Sequence, residues 1–113
     1  MHELSLCDAL LKIARDAVRD EGLQGVSRIS VEIGSLSGVM PHFMADCWQA
    51  VIDGTEFADT ELAISELRGT ARCLDCLEEF PVDLNSPVCP KCGGNKLAPL
   101  TGRDMTVTEI EAY

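Results

Sequence analysis

The chain has 113 residues, enough for one domain or for one small domain with a metal-stapled insert. Its formal net charge of −10, from 19 acidic and 9 basic side chains, disfavours binding to nucleic-acid phosphates and to anionic membranes. No apolar run approaches the roughly 18 residues that a membrane-spanning helix needs. Hydrophobic residues make up 46% of the chain and aromatic residues only 4%, so we expect a globular protein with an aliphatic core.

The first half of the chain alternates between helical and extended patterns. Residues 4–21 carry apolar side chains at three- and four-residue steps, which predicts an amphipathic helix that ends at Gly22. Residues 28–33 alternate apolar and polar side chains, which predicts a strand with one buried face. Pro41 suits the first position of a helix, and residues 41–52 continue with helical periodicity.

The second half is extended, with a cysteine-rich interruption. Residues 62–67 and 105–110 predict two further strands, and residues 70–99 between them hold four of the five prolines. Because the last strand follows the interruption, we expect it to rejoin the sheet formed by the others. The order predicts an α+β fold: two helices packed on a small three-stranded mixed sheet, with an inserted zinc-ribbon-like lobe. The predicted domains are 1–69 plus 100–113, and 70–99.

Two C-x-x-C pairs, separated by twelve residues, predict a metal site in this lobe. Four such sulfurs can surround a tetrahedral zinc at a Zn–S distance of about 2.3 Å. A pair of disulfides, or four unrelated core cysteines, is the alternative. The start of the chain lacks the features of a secretory signal, which predicts a reducing, cytoplasmic location where disulfides are rare. The predicted zinc ligands are Cys73, Cys76, Cys89 and Cys92.

The chain has two histidines, and their positions differ in chemical meaning. His42 follows Pro41 at the start of the second predicted helix, where we expect an exposed surface residue. His2 places the terminal amine, its own backbone amide and its imidazole within reach of one cation. Nitrogen-rich, tetragonal or square-planar ligation favours Cu(II) or Ni(II) over zinc. Chemistry alone leaves two interpretations of His2 open, a metal ligand or an incidental second residue.

The beginning of the chain, Met1-His2-Glu3-Leu4-Ser5-Leu6-Cys7, resembles that of the HypA/HybF family of hydrogenase nickel-incorporation proteins. The resemblance is collinear over essentially the whole chain, and the combination of an N-terminal Met-His-Glu with the cysteine lobe is specific. The other matching stretches are Val31-Glu32-Ile33-Gly34, Leu36-Ser37-Gly38-Val39, the paired C-x-x-C lobe and Thr108-Glu109-Ile110-Glu111.

The resemblance implies a small nickel metallochaperone and not an enzyme. It implies that a HypB-type GTPase is a partner and that nickel goes to the [NiFe]-hydrogenase large subunit precursor. A homodimer is a possible state of the protein, which the sequence leaves open. Nickel would be held by the amine of Met1, the amide and imidazole of His2 and the amide of Glu3. Many members carry an acidic residue where this chain has Met40. Some also have a histidine after the last cysteine pair, where this chain has residues 93–96.

Two other functions remain open at this stage. A zinc ribbon that binds nucleic acid would need a basic face, but residues 70–99 carry three basic side chains against four acidic ones. A rubredoxin-like iron protein would suit Cys89-Pro90-Lys91-Cys92-Gly93, although the first pair lacks the matching Pro and Gly. Cys7 and Cys47 lie on apolar helix faces, where we expect them to act as small hydrophobic residues.

Overall fold

The computed structural model describes residues 2–113, with the side chain of residue 2 excepted. The chain forms two helices and six strands in these described residues. Their bounds are α1 (His2–Glu21), β1 (Val26–Gly34), α2 (Pro41–Ile52), β2 (Glu61–Leu67), β3 (Thr70–Cys73), β4 (Glu79–Pro81), β5 (Leu97–Pro99) and β6 (Met105–Ala112). Among these helices none is long and apolar enough to cross a membrane.

The chain divides into two compact units. The helical unit comprises the chain as far as Glu32, together with Val39–Ser65 and Thr106–Tyr113. The cysteine unit comprises Ile33–Gly38 and Glu66–Met105. The domain boundaries expected from the sequence, at residues 69–70 and 99–100, stay a prediction.

The three long strands form a mixed sheet in the order β2-β1-β6. Thr60 contacts Val26 and Ser65 contacts Val31, so the contacts advance in the same direction along both strands, and β1 and β2 are parallel. Gly25 and Tyr113 exchange backbone hydrogen bonds while Thr108 contacts Ser30, so β1 and β6 are antiparallel. The helix α2 lies between the two parallel strands in sequence, as a parallel connection requires.

The core of the helical unit is aliphatic, with one large aromatic anchor. Trp48 is fully buried, and its Nε1 donates to the Thr60 carbonyl over 3.0 Å. The Thr60 hydroxyl in turn donates to the Val26 carbonyl over 2.6 Å, so the polar groups buried here are paired. The remaining buried side chains include Leu10, Ala14, Ile29, Val31, Met44, Ile52 and Phe57.

The cysteine unit has its own antiparallel sheet, in the order β4-β3-β5. Arg72 pairs with Glu79 on one side and with Ala98 on the other. A small core lies against the sheet, and two of the four paired cysteines belong to it. Its buried members are Ala71, Cys73, Phe80, Val82 and Cys89.

Three glycines let segments of the cysteine unit approach closely. A Cβ on Gly34 would collide with the backbone of Gly102, and one on Gly102 with the backbone of Gly69. Gly102 also has a φ of 74°, which side chains rarely adopt. Glycine at these three positions therefore allows the close approach of the segments, in which the Leu36 amide donates to the Gly102 carbonyl over 2.8 Å.

The predicted fold class is confirmed: two helices, a small mixed three-stranded sheet and an inserted cysteine lobe, with the last strand back in the first sheet. The four predicted elements before the lobe are all present: α2 has the predicted bounds, and α1, β1 and β2 are each slightly longer than predicted. The sequence predicted no strands within the lobe, whereas the structure has three, β3, β4 and β5, each of three or four residues.

Candidate metal centre

The four cysteines predicted as ligands converge on one point. Their sulfur atoms all lie within 4.8 Å of one another. The Cys73 and Cys92 sulfurs are 3.5 Å apart, as are those of Cys76 and Cys89. Four sulfurs about 2.3 Å from a tetrahedral metal would be about 3.8 Å apart, so the cluster is close to the size of a metal-thiolate site.

Each C-x-x-C pair is shaped by the same two backbone hydrogen bonds. In the first turn the Cys73 amide donates to Glu78 and the Leu77 amide donates to the Cys73 carbonyl, both over 2.8 Å. In the second turn the Cys89 amide donates to Gly94 and the Gly93 amide donates to the Cys89 carbonyl, also over 2.8 Å. The residue after each second cysteine has a positive φ, 65° at Leu77 and 74° at Gly93. The two turns are therefore equivalent halves of one site.

The pKa values of the thiols differ around the cluster. Burial opposes ionisation of Cys89, but amide groups of Cys92 and Lys91 outweigh it and lower the pKa of that thiol to about 7. At Cys92 the Gly94 amide favours the thiolate, yet the Cys73 sulfur and burial raise the pKa to about 12. The pKa of Cys76 is also raised, since burial and the Cys89 sulfur outweigh the Glu78 amide. A divalent cation at the centre of the cluster would stabilise the thiolate forms of these cysteines and reduce the repulsion between their negative charges.

The residues present fit a thiophilic, tetrahedral cation. Four sulfur donors suit zinc or iron and do not suit magnesium or calcium, which prefer oxygen. Cys73 and Cys89 are buried while Cys92 is exposed, so the site lies at the border of the small core. With four protein ligands a tetrahedral ion has no open position for water or substrate, which is typical of a structural site.

At the other end of the chain, Glu3 links the first turn of α1 to the start of α2. It is only 6% exposed, and its Oε2 accepts a hydrogen bond from the Met40 amide over 3.2 Å. Met40 is the residue before the first turn of α2, and its carbonyl accepts from the Met44 amide. A buried carboxylate near the N-terminus of α2 also benefits from the positive end of that helix. Sequence reasoning considered only the amide of Glu3 and missed this carboxylate.

The predicted nickel ligands are described only in part. The amine of Met1 and the imidazole of His2 lie outside the described residues, and the backbone of His2 begins α1. Glu3 lies in the first turn of the same helix. The nickel ligand set therefore stays a prediction.

Three other residues raised by the sequence have clear places in the fold. His42 is exposed, as expected, and its ring lies 4.2 Å from the ring of Phe43 between centroids. Met40 points to solvent, with 47% of it exposed. Cys7 is fully buried, and its sulfur lies 3.8 Å from that of Met44, which confirms its role in the core.

The whole-chain comparison decides the family. The family described as "Hydrogenase/urease nickel incorporation, metallochaperone, hypA" matches residues 1–112. The chain belongs to the HypA family. Proteins named hydrogenase maturation factor HypA are similar to it: that of Albidiferax ferrireducens is 39% identical and that of Rhodopseudomonas palustris strain BisB5 is 37% identical. Each alignment covers 98% of both chains.

Two solved HypA structures have the same fold. One is the solution structure of the nickel metallochaperone HypA from Helicobacter pylori, at 20% identity and a TM-score of 0.66, covering 97% of this chain and 96% of that one. Another is a solution structure of a HypA protein, at 23% identity and a TM-score of 0.70, covering 100% of this chain and 97% of that one. The resemblance predicted from the sequence is thus confirmed, and the cysteine cluster belongs to a HypA metallochaperone.

Proposed function

We propose that this chain binds Ni(II) at its N-terminus and delivers it to the [NiFe]-hydrogenase large subunit precursor with a HypB-type GTPase. The observation that carries the proposal is the match to the nickel-incorporation family, which includes both the N-terminus and the cysteine lobe. The same match favours a metallochaperone over the nucleic-acid-binding and electron-carrier alternatives. The curated relatives are named for hydrogenase maturation, so we assign hydrogenase, rather than urease, as the destination.

The proposed nickel ligands are the amine of Met1, the amide and imidazole of His2 and the amide of Glu3. Amine, amide and imidazole nitrogens are the donors that tetragonal or square-planar Ni(II) accepts. Two deprotonated amides would balance the charge of the cation, and the positive end of α1 favours negative charge at these two nitrogens.

The carboxylate of Glu3 supports this site without binding the metal. Its bond to the Met40 amide holds the first turn of α1 against the start of α2. The amide proposed as a ligand belongs to the same residue, so anchoring the side chain also positions that nitrogen. Because the donor is the backbone amide of Met40, this contact does not require an acidic side chain at position 40.

We propose zinc as the ion of the cysteine cluster, with a structural role. The donor set fits zinc, and a closed four-thiolate site cannot release its ion without disrupting the lobe it stabilises. Release of nickel from the end of the chain requires no such disruption. The six free cysteines suit a reducing compartment, and we propose the cytoplasm as the location.

Calorimetric titration with nickel tests the proposal, using zinc-loaded protein with an authentic Met1. We expect His2→Ala, and a short extension before Met1, each to weaken nickel binding by more than ~100-fold, since a ligand is worth more than its supporting contacts. His42→Ala is the matched control, because it removes the other histidine from an exposed position. Unchanged nickel affinity in the extended protein or in His2→Ala would refute the N-terminal site.

A further inference from the structure

The strand β6 lies at one edge of the three-stranded sheet, so the backbone groups along its outer side face away from β1. An open groove of about 400 Å³ is lined by residues of this strand and by residues at and just after the end of α1. All of its lining belongs to the helical unit. We call it the β6 groove and define it by Ala17, Glu21, Leu23 and residues 107–110 and 112.

Three of the side chains that line the β6 groove are apolar and partly exposed. Leu23, Val107 and Ile110 are each partly buried, so a bound segment would remove further apolar surface from water. An edge strand of eight residues offers a row of main-chain donors and acceptors beside these side chains. Extended peptides bind such edges by adding a strand, with alternate side chains entering the adjacent apolar surface.

The rim of the groove is acidic. Glu21 and Glu109 are exposed, and within residues 2–113 neither carboxylate forms a salt bridge. By contrast, Glu111, on the same strand, is 2.8 Å from the Arg28 guanidinium. These two unpaired carboxylates and the apolar lining residues complement a ligand that alternates basic and apolar side chains.

We propose that the β6 groove binds an extended, basic segment of a partner protein as an additional strand of the sheet. The inference goes beyond nickel binding and does not depend on it. A second copy of this chain fits the groove poorly. Pairing of two β6 strands would bring Glu109 and Glu111 of one copy close to the same residues of the other, and like charges across strands are destabilising.

The probe is a capped eight-residue peptide of alternating lysine and valine, added to ¹⁵N-labelled zinc-loaded protein. We expect saturable amide shifts at residues 107–112 and 17–23. A peptide with glutamate in place of lysine should not bind. Two further lysine–valine peptides carry N-methyl groups on all valine or on all lysine amides. At least one of these should bind ~10-fold more weakly, because it loses the hydrogen bonds of one strand edge.

Charge-reversed variants locate the rim. Glu21→Lys and Glu109→Lys should each weaken binding of the lysine–valine peptide. Asp46→Lys, on the exposed face of α2, makes the same charge change away from the groove and should leave binding unchanged.

Three results would overturn the proposal. The first is that both N-methylated peptides bind as tightly as the unmethylated lysine–valine peptide, with shifts spread over acidic surfaces, which would show ionic attraction alone. The second is the absence of saturable shifts at β6. The third is a set of β6 shifts that depends on protein concentration and not on peptide, which would identify a second copy as the occupant.

Discussion

Leu77 occupies a backbone conformation that glycine fills at the equivalent position of the other cysteine turn. Its φ is 65°, against 74° at Gly93. An L-residue in this region costs about 1–2 kcal/mol relative to the right-handed one. The Leu77 side chain is 68% exposed, so burial offsets little of that cost. The strain belongs to the metal-binding turn, because the Leu77 amide must reach the Cys73 carbonyl.

We therefore expect Leu77→Gly to raise the free energy of unfolding of the zinc-loaded protein by up to ~1 kcal/mol. Chemical denaturation monitored at the cysteine unit provides the measurement. Leu74→Gly is the matched control, since Leu74 is 57% exposed and lacks the positive φ. That change should lower the stability by ~0.5–1 kcal/mol. If both substitutions destabilise the protein equally, the strain at Leu77 is absent.

Gly102 combines a positive φ with a close backbone neighbour. Gly102→Ala should cost roughly 2–4 kcal/mol, since the new methyl group meets the backbone of Gly69 and cannot move aside. Gly38→Ala separates the two effects, because Gly38 has a φ of 79° and open space around it. We expect this control to cost only about 1 kcal/mol. Equal losses in thermal melts of the two variants would show that the contact with Gly69 contributes nothing.

The sequence predicted the cysteine cluster well but missed two other features, the Glu3 carboxylate contact and the left-handed Leu77, for a physical reason. A C-x-x-C pair is a local pattern, so the spacing alone brings Cys73 close to Cys76. The bond between the Glu3 carboxylate and the Met40 amide joins residues 37 positions apart and depends on how α1 packs on α2. The left-handed Leu77 is equally hidden, since only the second turn carries the glycine that signals such a conformation.

The contact between α1 and α2 contains a pair of sulfur atoms. The Cys7 thiol donates to the Met44 carbonyl over 3.5 Å and touches the Met44 sulfur at 3.8 Å. Burial, with a smaller contribution from Cys47, raises the pKa of the Cys7 thiol from its usual value of 9.0 to about 11. Cys7 is therefore protonated at neutral pH and packs as a small hydrophobic residue.

This pKa predicts a loss of stability in alkali. Below pH 9.0 the thiol is protonated in both the folded and the unfolded chain, and its full contribution is present. As the pH rises toward 11, the unfolded thiol ionises first, so the free energy of unfolding falls by up to about 3 kcal/mol. Denaturation at pH 8, 9, 10 and 11 measures the slope. Cys7→Ala should flatten it, whereas Cys47→Ala should retain most of it. Identical slopes in all three proteins would contradict the assignment to Cys7.

The long elements were predictable and the short ones were not. The helices α1 and α2 have several turns of apolar periodicity, and β1 alternates over its length, so each has a strong local pattern. Strands β4 and β5 have three residues each, too few for a period to be seen. They form because the paired cysteine turns bring their segments to β3, which is a tertiary cause.

For the molecule as a whole, the four paired cysteines belong to one unit and the proposed nickel-binding end of the chain belongs to the other. The cysteine unit buries a small core that includes two of its metal ligands. A core of this size depends on its metal for folding free energy. The helical unit contains Trp48, Phe57 and the α1–α2 contact, and it has none of the four paired cysteines.

Removal of zinc should therefore unfold one unit and spare the other. With a strong chelator, we expect amide hydrogen exchange to lose its protection in β3, β4 and β5 while α1 and α2 remain protected. Acid should have the same effect, because protons compete with zinc for the cysteine thiolates. Loss of protection in α2 at the same chelator concentration as in β3 would show that the metal stabilises the entire chain.

Native mass spectrometry of the zinc-loaded protein with added nickel tests most directly whether the two metals occupy separate sites. The intact protein should carry one zinc and one nickel at the same time. His2→Ala, and the protein extended before Met1, should carry the zinc alone, whereas His42→Ala should bind both metals. Nickel that binds these N-terminal variants as well as it binds the intact protein, or that appears only as zinc departs from the four cysteines, would contradict the N-terminal assignment.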